Sequence, residues 1–194
     1  MTIGSFFKAK RVWATGEFPP PWGEEKQSLY GFIGACVDED EALPDENDDE
    51  NIKFAAGALD GIFSHHVGKG EPDDAAQQII SALKRVLNRP NESAVRSFYE
   101  LAIDVSAKSV VDDLLSDTRW AQLLNTEHMR IFFLWLAQNA PDREPVKLAI
   151  AMLGMFQGRA QRDLFLTLGR HSEFTLFSAV ALRNSQENLS LIHI

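Results

Sequence analysis

Apolar side chains recur at helical intervals from Ile52 onward, and this rhythm constrains the fold more than any other feature of the sequence. In the first such segment they fall at i, i+4, i+7 and i+11, on one face of a helix: Ile52, Ala56, Leu59 and Phe63. The same rhythm predicts further helices at 72–89, 91–105, 110–115, 119–124, 127–139, 145–155, 161–168 and 174–183. Alternating strand patterns are scarce. The sequence therefore predicts an all-α fold whose short linkers join antiparallel neighbours.

Residues suited to helix starts lie at several of the predicted boundaries. Pro72 stands where a first helical turn accepts proline, and Asn91 is a good cap for the next helix. Ser172, flanked by His171 and Glu173, is likewise suited to cap the last predicted helix.

Two predicted helices share a pattern of alternating small and large residues. Leu148–Leu153 lines up with Phe177–Leu182, and the two segments start 29 positions apart. Residues 108–188 on this basis resemble HEAT-like helical repeats, whose units are longer, about 40–47 residues. The runs Leu168–Leu176 and Gly57–His66 are similar to segments of uncharacterised bacterial helical-repeat proteins. The resemblance implies stacked antiparallel helix pairs, as a HEAT-like α-solenoid or a right-angled helical array, and it implies no activity.

The first 50 residues differ from the rest of the chain. They begin with an aromatic arm, which consists of Trp13, Phe18, Pro19, Pro20, Pro21 and Trp22. Three successive prolines favour an extended segment, which can bind a groove on another protein or pack back across the chain's own helices. A short helix is then predicted from the spacing of Leu29, Phe32, Ile33 and Cys36. An acidic loop follows, so we divide the chain into residues 1–50, a helical-repeat domain at 51–188, and residues 189–194.

The net charge of -9 arises in one place, because residues 38–50 hold nine acids and no lysine or arginine. The remaining residues are charge-balanced, which argues against nucleic acid as a partner. No apolar run approaches the roughly 20 residues that span a bilayer, so we expect no membrane partner. The single cysteine, Cys36, excludes an internal disulfide and fits a reducing compartment. We expect a soluble, cytoplasmic protein.

Five residues are candidates for a ligand-binding pocket between helices: Asp60, His65, His66, His171 and Glu173. The histidines at 65 and 66 are adjacent, so on a helix they point about 100° apart and are poorly placed to hold one ion. A structural or capping role is the alternative for His65, His66, His171 and Glu173. The acidic run lacks the glycine and the final glutamate that an EF-hand loop needs. We predict no metal site and no cofactor, since the sequence also lacks phosphate-binding and dinucleotide-binding motifs.

The last six residues, Leu189–Ile194, form the hexapeptide LSLIHI. Its codons can match the transposase mosaic end that is used in sequencing libraries. We therefore expect residues 189–194 to be a translated adapter and the natural chain to continue differently after Asn188. A truncated solenoid would expose an apolar face that the next repeat normally covers.

These observations favour a non-catalytic helical-repeat scaffold or protein-binding module, whose partner is another protein. The alternative is an enzyme or small-ligand-binding protein that uses the His and acid candidates in one cavity. Neither a catalytic residue nor an oligomeric state follows from the sequence.

Overall fold

The computed structural model describes residues 3–23, 25–35, 42–44, 72–116, 126–156 and 159–190. Over these ranges all regular secondary structure is helical and no strand occurs, which confirms the predicted all-α class. The helices are α1 (Ile3–Thr15), α2 (Leu29–Ala35), α3 (Pro72–Asn88), α4 (Glu92–Asp104), α5 (Ala107–Ser116), α6 (Thr126–Asn139), α7 (Arg143–Leu153), α8 (Arg159–Leu168) and α9 (Ser172–Ser190). The helices predicted from Ile52 and at 119–124 lie outside the described residues.

Local sequence explains where several of these helices begin and end. The Asn91 side chain accepts a hydrogen bond from the Ala94 amide at 2.9 Å, which confirms it as the cap of α4. Helix α1 was not predicted. It ends at Thr15, and the next residue, Gly16, has a φ of 70°, a left-handed conformation that glycine adopts without steric cost. The Gly16 amide donates to the Val12 carbonyl, as expected of a glycine-terminated helix.

Helix α7 is the centre of the fold. It packs against α4, α5, α6 and α9. Its buried residues occupy every side of the helix: Pro145, Val146, Lys147, Leu148, Ala149, Ile150, Met152 and Leu153. A helix that is apolar on all sides is normally surrounded by neighbours, and the contacts of α7 satisfy that expectation.

The remaining helices pack around this centre as neighbours of one another. Helix α3 packs against α4 and α5, and α8 packs against α9 and α2. Helices α7 and α9 approach closely, because a Cβ atom added at Gly154 would lie only 3.0 Å from the Ala181 Cα. Helix α2 packs against α6 and α8, and its first amide, on Leu29, donates to the carbonyl of Ala140.

Among the described helices, none combines the length and the apolar character that a bilayer-spanning segment requires.

Candidate functional site: a buried charge network and an exposed apolar stripe

A lysine lies inside the most buried helix of the fold. The side chain of Lys147 on α7 is 2 % exposed. Its Nζ lies 2.9 Å from Oε1 of Glu144 and 2.5 Å from Oε1 of Glu173. An isolated buried ammonium group would be very costly, so these two carboxylates are what allows a lysine at this position.

The carboxylates extend the contacts of Lys147 to two further helices. Glu173 lies in the first turn of α9, is 8 % exposed, and also lies 3.9 Å from the guanidinium group of Arg143. Oε2 of Glu144 accepts a hydrogen bond at 2.7 Å from the Ala107 amide, the first residue of α5. A carboxylate is favoured at that place because the N-terminus of a helix carries unpaired amides and a partial positive charge. We call Arg143, Glu144, Lys147 and Glu173 the charge network; it joins α5, α7 and α9.

The electrostatics of the charge network decide what Lys147 can do chemically. Burial by itself lowers the pKa of this lysine, but the opposing effect of Glu144 and Glu173 is larger, and the pKa lies above its ordinary value. Lys147 is therefore protonated at neutral pH and has no lone pair to offer a carbonyl group. A nucleophilic lysine needs the opposite shift. This arrangement is suited to fixing helices rather than to covalent catalysis.

His171 caps α9 at the edge of the charge network. The residue is 5 % exposed, and its Nδ1 accepts a hydrogen bond from the Glu173 amide at 3.2 Å. This is the role of an N-cap side chain, which satisfies one of the first amides of a helix. The prediction that Ser172 is the cap is wrong by one residue, because Ser172 already lies within α9 and its buried hydroxyl has no partner among the described residues.

Two of the five predicted site residues, His171 and Glu173, lie within the described part of the chain, and the structure joins them by that hydrogen bond. The other three, Asp60, His65 and His66, lie outside the described residues, as does Cys36. That at least three of the five converge on one cavity stays a prediction. Over the described ranges, no group of three His, Cys, Asp or Glu side chains is placed to hold a metal ion.

Sequence reasoning missed Arg143, Glu144 and Lys147. The one local signal was a lysine within the apolar run of α7 with a glutamate three positions before it, a spacing at which helical side chains meet. The contact with Glu173 could not be read from this spacing, since it depends on how α9 packs on α7.

A second polar cluster lies at the start of α7. The hydroxyl of Tyr99 on α4 donates to Oδ2 of Asp142 at 2.5 Å, and Lys26 Nζ lies 3.2 Å from Oδ1 of the same carboxylate. Tyr99 is buried, whereas the Lys26 side chain is 55 % exposed. Asp142 therefore links α4 to the residues that follow the aromatic arm.

The aromatic arm packs against the chain's own helices, one of the two alternatives that the sequence left open. Trp13 stacks on His128 of α6, with ring centroids 4.0 Å apart and planes at 9°. Phe18 is buried between Trp13 and the aromatic residues of α6. Burial lowers the pKa of His128, and the nearby charge of Glu127 opposes this shift.

The outward face of α9 carries apolar residues. Its inward face consists of Phe174, Ser178 and Ala181, all buried. Leu176 and Val180, which we call the apolar stripe, lie one turn apart on the opposite side and are 67 % and 50 % exposed. On the neighbouring helix α8, Leu166 is 49 % exposed. A helix that is apolar on two sides is normally packed on two sides.

Comparison of the chain with models of known protein families gives no match, and comparisons with curated proteins and with solved structures give none either.

Proposed function

We propose that this chain is a non-catalytic helical-repeat scaffold that binds another protein through the outward face of α9. In this proposal the helices are stacked as antiparallel pairs, in the manner of HEAT-like repeats. The observation that carries the proposal is the apolar stripe, because Leu176 and Val180 leave α9 apolar on the side that faces solvent.

The contacts between helices support a layered arrangement. Helices α6 and α7 pack together and are joined by residues 140–142 alone, and α8 and α9 pack together across residues 169–171. Connections this short are typical of antiparallel helical hairpins. Since α7 also packs against α9, the two hairpins are neighbours, with the apolar stripe on the side of α9 away from α7.

The charge network supports a rigid presentation of this surface. The contact between Lys147 and Glu173 ties the first turn of α9 to the central helix. Leu176 lies one turn after Glu173, so its position is fixed by the same contact. A preorganised surface loses less conformational entropy when it binds a partner.

Site-specific photo-crosslinking tests the proposal. A photoreactive amino acid is placed at position 176 and, as a matched control, at position 103, where Ile103 on α4 is 41 % exposed. We expect one defined protein adduct from position 176 and none from position 103 when the protein is irradiated in the cells of its source. The proposal is overturned if neither position gives an adduct, or if both give the same ones.

A further inference from the structure

The aromatic arm lies in a groove between α4 and α6. The groove is formed by Phe98 and Tyr99 of α4 and by Phe132 and Trp135 of α6, and we call it the aromatic groove. The ring centroid of Phe18 lies 5.2 Å from Phe132 and 5.1 Å from Trp135. Trp22 contacts both walls, at 4.9 Å from Tyr99 and 5.2 Å from Trp135.

The arm contacts this groove through its aromatic side chains and through one carbonyl group. Pro19, Pro20 and Pro21 lie between the two aromatic anchors and have no amide hydrogen to donate. The Pro21 carbonyl accepts a hydrogen bond at 3.1 Å from Nη1 of Arg96 on α4. Aromatic-lined grooves recognise proline-rich peptides in this way, because the peptide is already extended before it binds.

The second half of the arm is held less deeply than the first. Phe18 is buried, whereas Pro20 is exposed and Trp22 is half-buried. The polar contacts on this side are exposed as well, since the Arg96 and Lys26 side chains are 46 % and 55 % exposed. Water competes for exposed polar contacts, so this half of the arm can leave the groove at a much smaller cost than the core helices can separate.

We propose that the aromatic groove is a binding site for a proline-rich segment of another protein, and that the aromatic arm is an intramolecular ligand that masks it. The contacts of the arm define the chemistry of the partner. It carries two aromatic residues separated by three prolines, and a basic residue four positions after the second aromatic. The basic residue is included because Lys26, four positions after Trp22, forms an ion pair with Asp142.

The masking sets the affinity that a partner peptide can reach. A tethered ligand competes at an effective concentration in the millimolar range. The apparent affinity for a free peptide is reduced by the small fraction of molecules whose groove is open. Weakening the arm must therefore strengthen the binding of an external peptide, whereas weakening the groove must reduce it. This surface is separate from the apolar stripe, so the two proposals can fail independently.

Binding of a fluorescent synthetic peptide to the full-length protein tests the proposal. The peptide has the sequence of residues 14–27, and a matched control peptide has alanine at the three proline positions. We expect the peptide to bind the Trp22→Ala variant at least tenfold more tightly than it binds the wild type. Adding Arg96→Ala to Trp22→Ala removes the donor to the Pro21 carbonyl and should weaken the binding several-fold. The control peptide should bind at least tenfold more weakly than the proline-containing peptide.

Circular dichroism at 222 nm verifies that each variant keeps its helices, and Phe18→Ala provides a second way of weakening the arm. The proposal is overturned if both arm variants are folded and neither binds the peptide more tightly than the wild type. A wild-type dimer that Trp22→Ala converts to a monomer would assign the groove to the arm of a second copy, and would overturn the choice of another protein as the partner.

Discussion

The ammonium group of Lys147 and the carboxylate of Glu173 form an ion pair of 2.5 Å between the central helix α7 and the first turn of α9. Both side chains are more than nine-tenths buried. The position of α9, and with it the position of the apolar stripe, depends on this pair.

Replacing Lys147 with methionine tests the charge network. Lys147→Met keeps most of the side-chain volume but leaves Glu173 buried beside Arg143 alone, at 3.9 Å. Removing one partner of a buried ion pair is strongly destabilising, so we expect a loss of about 3 kcal/mol in the free energy of unfolding. Urea denaturation followed by circular dichroism measures it.

A double-mutant cycle with Glu173→Gln isolates the contact itself. Residues in direct contact are not additive, so Lys147→Met combined with Glu173→Gln should cost about 1–3 kcal/mol less than the two single changes added together. Strict additivity would show that the pair does not couple α7 to α9.

The hydrogen bond between Tyr99 and Asp142 is the second contact to test. Tyr99→Phe keeps the ring against Trp22 but removes the hydroxyl donor, and leaves a part-buried carboxylate with one partner fewer. Hydrogen bonds to charged groups contribute more than neutral ones, so we expect a loss of about 2 kcal/mol in unfolding experiments. Lys26→Met is the control: its ion pair with the same carboxylate is exposed, and its removal should cost less than about 1 kcal/mol. Equal losses for both variants would contradict this assignment.

Two glycine substitutions with opposite expected signs test the close approach of α7 and α9. Gly154→Ala places a methyl group 3.0 Å from the Ala181 Cα, and such overpacking costs about 1–3 kcal/mol. Gly34→Ala in α2 meets nothing nearer than a methyl group of Thr167 at 3.9 Å. Alanine is the better helix former, so this variant should gain about 0.5 kcal/mol. Thermal unfolding of the two variants distinguishes these outcomes, and a stabilised Gly154→Ala protein would show that the helices lie further apart.

The stacking of His128 on Trp13 predicts a pH dependence. Since burial lowers the pKa of His128 in the folded protein, the unfolded chain takes up this proton first as the pH falls. The stability that His128 contributes is present above the ordinary histidine pKa, 6.5, and is lost as the pH falls through the lowered value. His128→Phe keeps a ring beside Trp13 and removes the titration. When the pH is lowered from 7.5 to 5, the wild type should therefore lose more free energy of unfolding than His128→Phe does. A difference between the two proteins that stays constant with pH would refute the prediction.

The rhythm of apolar residues predicted α3 to α9 in the described part of the chain because each of these helices buries apolar residues against its neighbours, on every side in the case of α7. Helix α1 was missed since Ile3, Phe6 and Phe7 are followed by Lys8 and Lys10, so that apolar and basic residues do not separate onto two faces. The aromatic arm was recognised from its composition, but the sequence did not predict that it packs against α4 and α6.

The charge network was beyond sequence reasoning for a different reason. His171 and Glu173 were singled out because they flank a helix start, whereas Lys147 stands in a run of apolar residues and has no unusual neighbour except Glu144. Whether a lysine on such a helix faces solvent or a carboxylate depends on which helix covers it. The partner that matters most, Glu173, comes from another helix, so only the packing of α9 on α7 brings the two together.

The central proposal is that this protein binds a partner through the outward face of α9. Its most direct test is to measure by calorimetry the affinity of the crosslinked partner for the wild type and for two matched variants. Leu176→Glu combined with Val180→Glu places two charges on the apolar stripe, and Ile103→Glu places one on an apolar position of α4 that is 41 % exposed. We predict that the first variant binds at least tenfold more weakly than the wild type while Ile103→Glu binds unchanged. Undiminished binding by the Leu176→Glu, Val180→Glu protein would contradict the account.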